Sequence, residues 1–294
     1  MKPYNDLHEE IEEAFDSQYE NSNSKDLEPY YDEKGITLYN ADCLPAMKEM
    51  PDNSVDLTVT SPPYDNLRTY NGYVFDFEGI AKQLYRVTKD GGVVVWVVGD
   101  ATIKGSETGT SFRQALYFKE IGFNLHDTMI WNKGMFTSPQ TVRYPNTFEY
   151  MFILSRNKPI CHQIKDRKNK KAGTSSTHTI RKRDGVTQNM YADNRKTKIF
   201  DVGVRFNVWN VSPEQSSLNR LHPAPFSEQL AHDHIVSWSS EGDTVLDPMM
   251  GSGTTGKMAK VLKREFIGIE KVPKYFGIST ERIRDTKVQG VLNL

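Results

Sequence analysis

Two short runs hold the residue types that could do chemistry. The first is Ser61-Pro62-Pro63-Tyr64. Paired prolines fix φ and remove two backbone donors, so they end a strand in a rigid extended corner. Such a corner offers the Ser61 hydroxyl and the Pro62 carbonyl as two acceptors, with the flat ring of Tyr64 beside them. Two acceptors and a stacking ring make a receptor for a planar group bearing NH2, such as an amino-bearing nucleobase. Standing alone, the run would be read as a simple strand-ending turn. The second run is Asp247-Pro248-Met249-Met250-Gly251-Ser252-Gly253-Thr254-Thr255-Gly256. Its glycines permit a sharp turn and close approach of a ligand to the backbone. Glu270 stands nineteen residues beyond Gly251. An acidic residue there can accept hydrogen bonds from both hydroxyls of a ribose. A merely tight strand–helix turn is the plain alternative; the flanking elements and the carboxylate argue for a nucleoside-cofactor site.

Both runs need strands to aim them. Residues 36–41 read as a strand, Ala46 to Met50 as a short helix, and Val55 to Thr60 as a second strand that stops at Ser61. Residues 76–88 follow helical spacing, Asp90-Gly91-Gly92 reads as a turn, and Val93 to Val98 is a continuous buried-type strand. A helix over Phe112–Ile121 and strands over Asp127–Trp131 and Glu149–Leu154 follow, with Trp96 and Trp131 as core residues. Residues 157–205 are polar and basic with no sustained period. The pattern resumes as helix 225–239, strand Thr244–Leu246, helix Thr254–Lys263, strand Phe266–Ile269 and helix 273–285. Alternating strands and helices predict an α/β fold with a mostly parallel sheet, interrupted by an inserted lobe. Ligands of such sheets bind at the carboxyl ends of the strands, where strand order reverses. Both runs follow directly on strands.

The chain has 294 residues, enough for one large domain or two modest ones. With 37% hydrophobic and 11% aromatic residues it is too apolar for global disorder. Its longest apolar run, Val93–Val98, is far short of the ~20 residues that span a bilayer, so no membrane is expected. The opening residues carry no signal-peptide core, and two cysteines, Cys43 and Cys161, cannot form a disulfide framework. A reducing cytoplasm is the default location, associated with the nucleoid if the partner is DNA. The net charge of -1 hides an asymmetry. Residues 1–34 hold eleven acidic and three basic side chains, an acidic extension read as a mobile tail or as a short helix, for which Leu7, Ile11 and Phe15 have the spacing. Residues 165–198 hold eleven basic and three acidic ones. That density, interleaved with Gly, Ser and Thr, suits a loop-rich surface facing phosphates; an isolated basic run would be read as a solvated loop.

Taken together, the corner, the basic insertion and the glycine turn resemble the amino-group (exocyclic) DNA methyltransferases that use S-adenosylmethionine. In that family a Ser/Asn/Asp-Pro-Pro-Tyr/Phe motif is catalytic and an Asp-Pro-Phe-x-Gly-x-Gly-Thr-Thr type motif binds the cofactor. The order here, catalytic motif first, is similar to the circularly permuted beta group. The resemblance runs from about residue 36 to 283 and implies a Rossmann-like methyltransferase fold with an inserted target-recognition region. It implies segments 1–34 (acidic extension), 35–156 (catalytic domain, first part), 157–208 (target recognition) and 209–294 (cofactor-binding part). It assigns catalysis to Ser61, Pro62, Pro63 and Tyr64. It assigns cofactor binding to Asp42, His222, Pro223, Phe226, Asp247, Pro248, Gly251, Ser252, Gly253, Thr254, Thr255 and Glu270. DNA contacts fall to Lys168, Lys170, Lys171, Arg181, Lys182, Arg183, Arg195 and Lys196. Met249 departs from the family's usual Phe, and both are bulky and apolar.

The implied reaction is methyl transfer from S-adenosyl-L-methionine to an exocyclic amine of a flipped base in double-stranded DNA. Ser in the first motif position is usual for N4-cytosine enzymes, Asp or Asn for N6-adenine enzymes. Ser61 therefore favours cytosine N4, with adenine N6 as the alternative. C5 methylation is disfavoured, because neither Cys43 nor Cys161 follows a proline. A nicotinamide-dependent dehydrogenase would share the glycine turn but has no use for Ser61–Tyr64. A non-catalytic DNA-binding module would not need the glycine turn. An RNA or protein methyltransferase would share the catalytic motif. His232 and His234, at i and i+2 of an expected helix, point apart, so with His222 they make no metal site. A cognate restriction endonuclease and a homodimer remain open partners.

Overall fold

The computed structural model describes residues 29–33, 35–63, 75–135, 141–176, 179–190, 196–213 and 227–287. The expected N-terminal helix, Tyr64, Arg195, His222, Pro223 and Phe226 lie outside the described residues.

The elements alternate as the sequence predicts. Strands β1 (Tyr31–Glu33) and β2 (Ile36–Asn40) lead to helix α1 (Cys43–Glu49) and strand β3 (Val55–Thr60). Helix α2 (Phe77–Val87), strand β4 (Thr88–Val98), helix α3 (Thr110–Glu120) and strands β5 (Asn124–Asn132) and β6 (Phe148–Ser155) follow. After the insertion come strand β7 (Val208–Asn210), helix α4 (Glu228–Trp238), strand β8 (Thr244–Asp247), helix α5 (Thr254–Val261), strand β9 (Glu265–Glu270) and helix α6 (Pro273–Arg284). Helix α1 begins three residues earlier than expected, because the Asp42 carboxylate caps it, accepting from Leu44 N at 3.0 Å. Asp76 caps α2 in the same way through Gly79 N at 2.9 Å. Asp90-Gly91-Gly92 is not a turn between elements but an interruption inside β4. The register against β3 jumps from Val55↔Thr88 to Leu57↔Val93, and Gly91 takes φ 76° to absorb the extra residues.

The sheet order is β1-β2-β9-β8-β3-β4-β6-β5-β7. Strands β2, β9, β8, β3 and β4 pair in parallel, and the β4–β6–β5 side is antiparallel. One face buries Ala46 and Met47 of α1, Ile80, Leu84 and Val87 of α2, and Ala115 and Phe118 of α3 against Val94, Trp96, Val98, Leu246 and Ile269. The alternate residues Val93, Val95 and Val97 are buried on the other face. Helices α4, α5 and α6 cover that face. The crossover from β3 runs outward to β4 while that from β8 runs the opposite way to β9. Strand order therefore reverses between β3 and β8, the kind of switch point at whose carboxyl ends such sheets bind their ligands. Trp96 and Trp131 are core residues; their indole N–H groups donate to Gln114 Oε1 and to the Val211 carbonyl.

Contacts divide the chain into Met1–His162 with Asn210–Leu294, and Gln163–Trp209. The smaller unit is not the structureless stretch that its missing period suggests. Lys165–Lys168 pairs antiparallel with Val202–Val204, Ser175–Ser176 with Thr197–Lys198, and Thr179–Arg181 with Thr187–Asn189. Both faces of these short ladders are largely exposed. No apolar alternation is needed to build them, so none marks them in the sequence.

Candidate active site

Strand register brings the two chemistry-bearing runs to one place. Strands β3 and β8 are adjacent and parallel, with Val245 opposite Leu57 and Leu246 opposite Thr58. Their carboxyl ends therefore share one rim. Ser61 and Pro62 leave β3 there, and the glycine turn leaves β8 there. The two ends are joined directly: Thr60 Oγ1 donates to Asp247 Oδ1 at 2.8 Å, and Thr255 Oγ1 donates to the Val59 carbonyl at 3.3 Å. Asp247 also accepts from Met249 N at 3.2 Å. Burial pushes its carboxyl up to about 6, against the opposing pull of the Thr60 and Thr255 hydroxyls and Met249 N–H. A buried carboxylate is thus the joint between corner and turn. Pro62 is buried and Ser61 half-buried, so the corner is held from beneath.

The turn itself is shaped by glycines with different duties. Gly251 and Gly253 have φ of 50° and 76°, a region that L side chains rarely adopt. A Cβ on Gly253 would lie 2.8 Å from Ser279 Cβ, and one on Gly256 2.5 Å from Phe266 and Ile283 side chains. Those two glycines therefore let α5 seat against α6 and β9. Gly251 is the one whose N–H meets Glu270, donating to Oε2 at 2.9 Å, while Val272 N–H donates to Oε1 at 2.8 Å. Burial raises the Glu270 carboxyl above its ordinary value, more than these two N–H groups lower it. Each carboxylate oxygen still has a lone pair to give, which suits a pair of vicinal hydroxyls. Asn40 lies opposite Glu270 in register and donates to its carbonyl at 2.7 Å, extending the rim to β2.

Asp42 sits just past that strand. Besides capping α1, it pairs with Lys271 Nζ at 2.6 Å. Burial pushes its carboxyl up, but Lys271 and the Leu44 N–H outweigh burial and hold it below the usual range. Cys43, beside it, has its thiol pushed up to about 12 by burial and by Asp42, so it is an inert neighbour rather than a nucleophile.

One residue escapes the sequence reading. Arg282 of α6 donates to the Ser252 carbonyl at 3.1 Å and to Thr254 Oγ1 at 2.9 Å, and its other nitrogen pairs with Glu228 at 2.6 Å. Glu228 also pairs with Lys257. The buried guanidinium therefore ties the glycine turn to the first turn of α4. No local pattern announces it, because its partners lie 28 to 54 residues away.

In the smaller unit, Lys168, Lys170, Lys171, Arg181, Lys182, Arg183 and Lys196 are exposed. His234 is buried with Nε2 3.2 Å from Met151 sulfur, while His232 is half-buried and pairs with Asp233. Among the described residues no cluster could hold a metal ion, and no helix is long and apolar enough to cross a membrane.

Residues 55–281 match the family model described as DNA methylase. The orphan methyltransferase M.BamHII of Bacillus amyloliquefaciens is 54% identical over 248 residues, 81% of this chain and 92% of that one. The type II methyltransferase M.SmaI of Serratia marcescens is 28% identical over 82% of this chain and 88% of its own. Among solved structures, the cytosine-N4-specific PvuII DNA methyltransferase aligns with TM-score 0.63 and 22% identity over 92% of both chains. A DNA modification methylase of Thermus thermophilus complexed with S-adenosyl-L-methionine aligns with TM-score 0.56 and 23% identity, over 86% of this chain and 96% of that one.

Proposed function

The chain belongs to the DNA methylase family, and from that premise we propose that it methylates the exocyclic N4 of a cytosine flipped out of duplex DNA. The observation that carries the reading is the shared rim. The amino-group receptor at Ser61–Pro62 and the nucleoside-type turn at Asp247–Gly253 leave neighbouring parallel strands and are pinned together through Asp247.

The residues fit S-adenosyl-L-methionine. Glu270 is an almost wholly buried carboxylate with acceptor capacity left for a ribose, and Gly251 offers a bend without a side chain above it. Asp247, Pro248, Ser252, Gly253, Thr254 and Thr255 build that bend, and Asp42, paired with Lys271 next to Glu270, is the second carboxylate read as facing the cofactor. When bound, this cofactor supplies an electrophilic methyl group. The exocyclic nitrogen of cytosine is a poor nucleophile, because its lone pair is delocalised into the ring. Ser61 Oγ and the Pro62 carbonyl accept its two hydrogens and favour a pyramidal nitrogen whose lone pair points along the rim. The rigid Pro62–Pro63 corner holds those acceptors in place, which is catalysis by positioning and by stabilising positive charge as it develops. No strong base is needed first, since the proton leaves after transfer. Tyr64 is the stacking partner of the extruded base, returning about 1–3 kcal/mol of the cost of extrusion.

Ser61 supports cytosine over adenine, given the family's tendency at that position. The cytosine-N4 specificity belongs by name to the PvuII enzyme, and agrees with this choice. The basic unit, with Lys168, Lys170, Lys171, Arg181, Lys182, Arg183, Arg195 and Lys196, is read as the phosphate-facing target-recognition region. The 54%-identical relative is named an orphan methyltransferase, which favours action without a cognate restriction endonuclease. The test is digestion of DNA treated with enzyme and labelled cofactor to nucleosides, followed by mass spectrometry. N4-methylcytosine is expected. N6-methyladenine would overturn the base assignment, and no methylated nucleoside would overturn the reading as a whole.

A further inference from the structure

The small unit carries an aromatic ring that the catalytic reading does not use. Phe200 is 80% exposed. Its backbone is nevertheless held on both sides. Ile199 N donates to the Thr174 carbonyl at 2.9 Å, Gly173 N to the Ile199 carbonyl at 3.0 Å, and Asn169 N to the Asp201 carbonyl at 2.9 Å. Asn169 Nδ2 donates to the Phe200 carbonyl itself at 2.9 Å. The ring therefore projects from a fixed tip rather than from a floppy loop. Nearby stand Lys168, opposite Val202 in the ladder, Lys170 and Lys171 in the turn that frames Phe200, and Lys198 two residues before it; all four are exposed. Phe206, the other strongly exposed phenylalanine of the unit, differs in having the Arg167 guanidinium 4.3 Å from its ring centroid.

An exposed apolar ring on a held tip, with four exposed lysines close to it along the chain and the ladder, fits a polyanion with flat apolar faces between its charges. We propose that Phe200 is an aromatic wedge that stacks on the bases of the bound duplex, with Lys168, Lys170, Lys171 and Lys198 on the flanking phosphates. The proposal rests on the DNA methyltransferase reading and adds to it a contact with bases, where the lysines give only phosphate contacts.

The test uses the full chain and its variants. Trp96, Trp131, Trp209 and Trp238 are all buried, so in Phe200→Trp the indole at position 200 is the one that acrylamide reaches readily. Duplex DNA should shield that indole from quenching. Phe200→Ala should bind duplex DNA roughly tenfold more weakly. Its salt dependence should stay unchanged, because no charge is removed, whereas Lys170→Ala with Lys171→Ala should flatten the slope by about 0.9 for each phosphate that is no longer neutralised. Affinity for S-adenosyl-L-methionine and the thermal midpoint should stay those of the wild type in Phe200→Ala. Wild-type DNA binding with an unprotected indole and an unweakened alanine variant overturns the wedge and leaves the methyltransferase reading standing. Protection that follows protein concentration without DNA overturns it in favour of a second copy of the chain. A wild-type protein that binds no duplex DNA at all overturns both.

Discussion

Replacing Asp247 separates the joint from the charge it carries. Its carboxyl rises from 3.8 to about 6 on folding, because burial disfavours the anion more than its hydrogen bonds support it. A native value above the unfolded one means that the folded protein holds the extra proton between about pH 4 and 6. Stability from this group is therefore greatest at low pH and is lost as pH climbs through about 6. By about pH 8 the loss is about 3 kcal/mol. Asp247→Asn removes the titration and can keep every partner: its oxygen accepts from Thr60 Oγ1 and Met249 N as Oδ1 does, and its amide can donate to Thr255. Asp247→Ala keeps none, and orphans buried donors at about 1–3 kcal/mol each. Unfolding followed by circular dichroism from about pH 5 to 8 should show Asp247→Asn gaining on the wild type as pH rises. Asp247→Ala should start less stable than the wild type by roughly 2–5 kcal/mol near pH 5, should lose part of that deficit as pH rises because alanine does not titrate either, and should stay below Asp247→Asn throughout. Cofactor affinity should survive in the asparagine variant and fail in the alanine variant. Asparagine that destabilises as much as alanine, or a difference between asparagine and wild type that does not change with pH, would rule out a buried, titrating Asp247 as the joint.

Other perturbations probe the remaining parts of the rim. Ser61→Ala should lower kcat by roughly 10²-fold or more, as removal of one positioned transition-state partner does, with calorimetric cofactor affinity unchanged. Unchanged turnover would remove Ser61 as the amino acceptor. Glu270→Gln should weaken cofactor binding by roughly tenfold or more, and an unaltered dissociation constant would refute the ribose assignment. Arg282→Gln should raise KM for the cofactor more than it lowers kcat, since the guanidinium orders Ser252 and Thr254 rather than touching the reacting atoms. A pure kcat effect would contradict that role. Neutralising Arg181, Lys182 and Arg183 should reduce the salt slope of DNA binding by about 0.9 for each phosphate left without its cation; an identical slope would place the DNA elsewhere.

The parts of the site that are legible in the sequence are those written in local chemistry. Prolines at 62 and 63 have to stop β3, and the expected strand Val55–Thr60 coincides with it to the residue. Glycines at 251 and 253 have to turn the chain after β8, and both take positive φ. Ile80, Ala81, Leu84 and Val87 give α2 its buried face. What stays hidden depends on partners far along the chain. The Thr60–Asp247 bond spans 187 residues, and Arg282 reaches Ser252 across 30. Asp90–Gly92 reads as a turn locally and is overruled by pairing with β3, which resumes β4 beyond it. The strands of the smaller unit lack a buried face, and with it the signal that reveals strands elsewhere.

In the proposed reaction the proline corner and the glycine bend serve one transfer. A crystal structure of the enzyme with S-adenosyl-L-methionine and duplex DNA carrying its target tests it most directly. Ribose hydroxyls are expected on Glu270, with an extruded base whose amino group meets Ser61 Oγ and the Pro62 carbonyl. The nitrogen should approach the methyl carbon to about 3–3.5 Å. A methyl group directed away from Ser61, or a target base left in its stack, would contradict it.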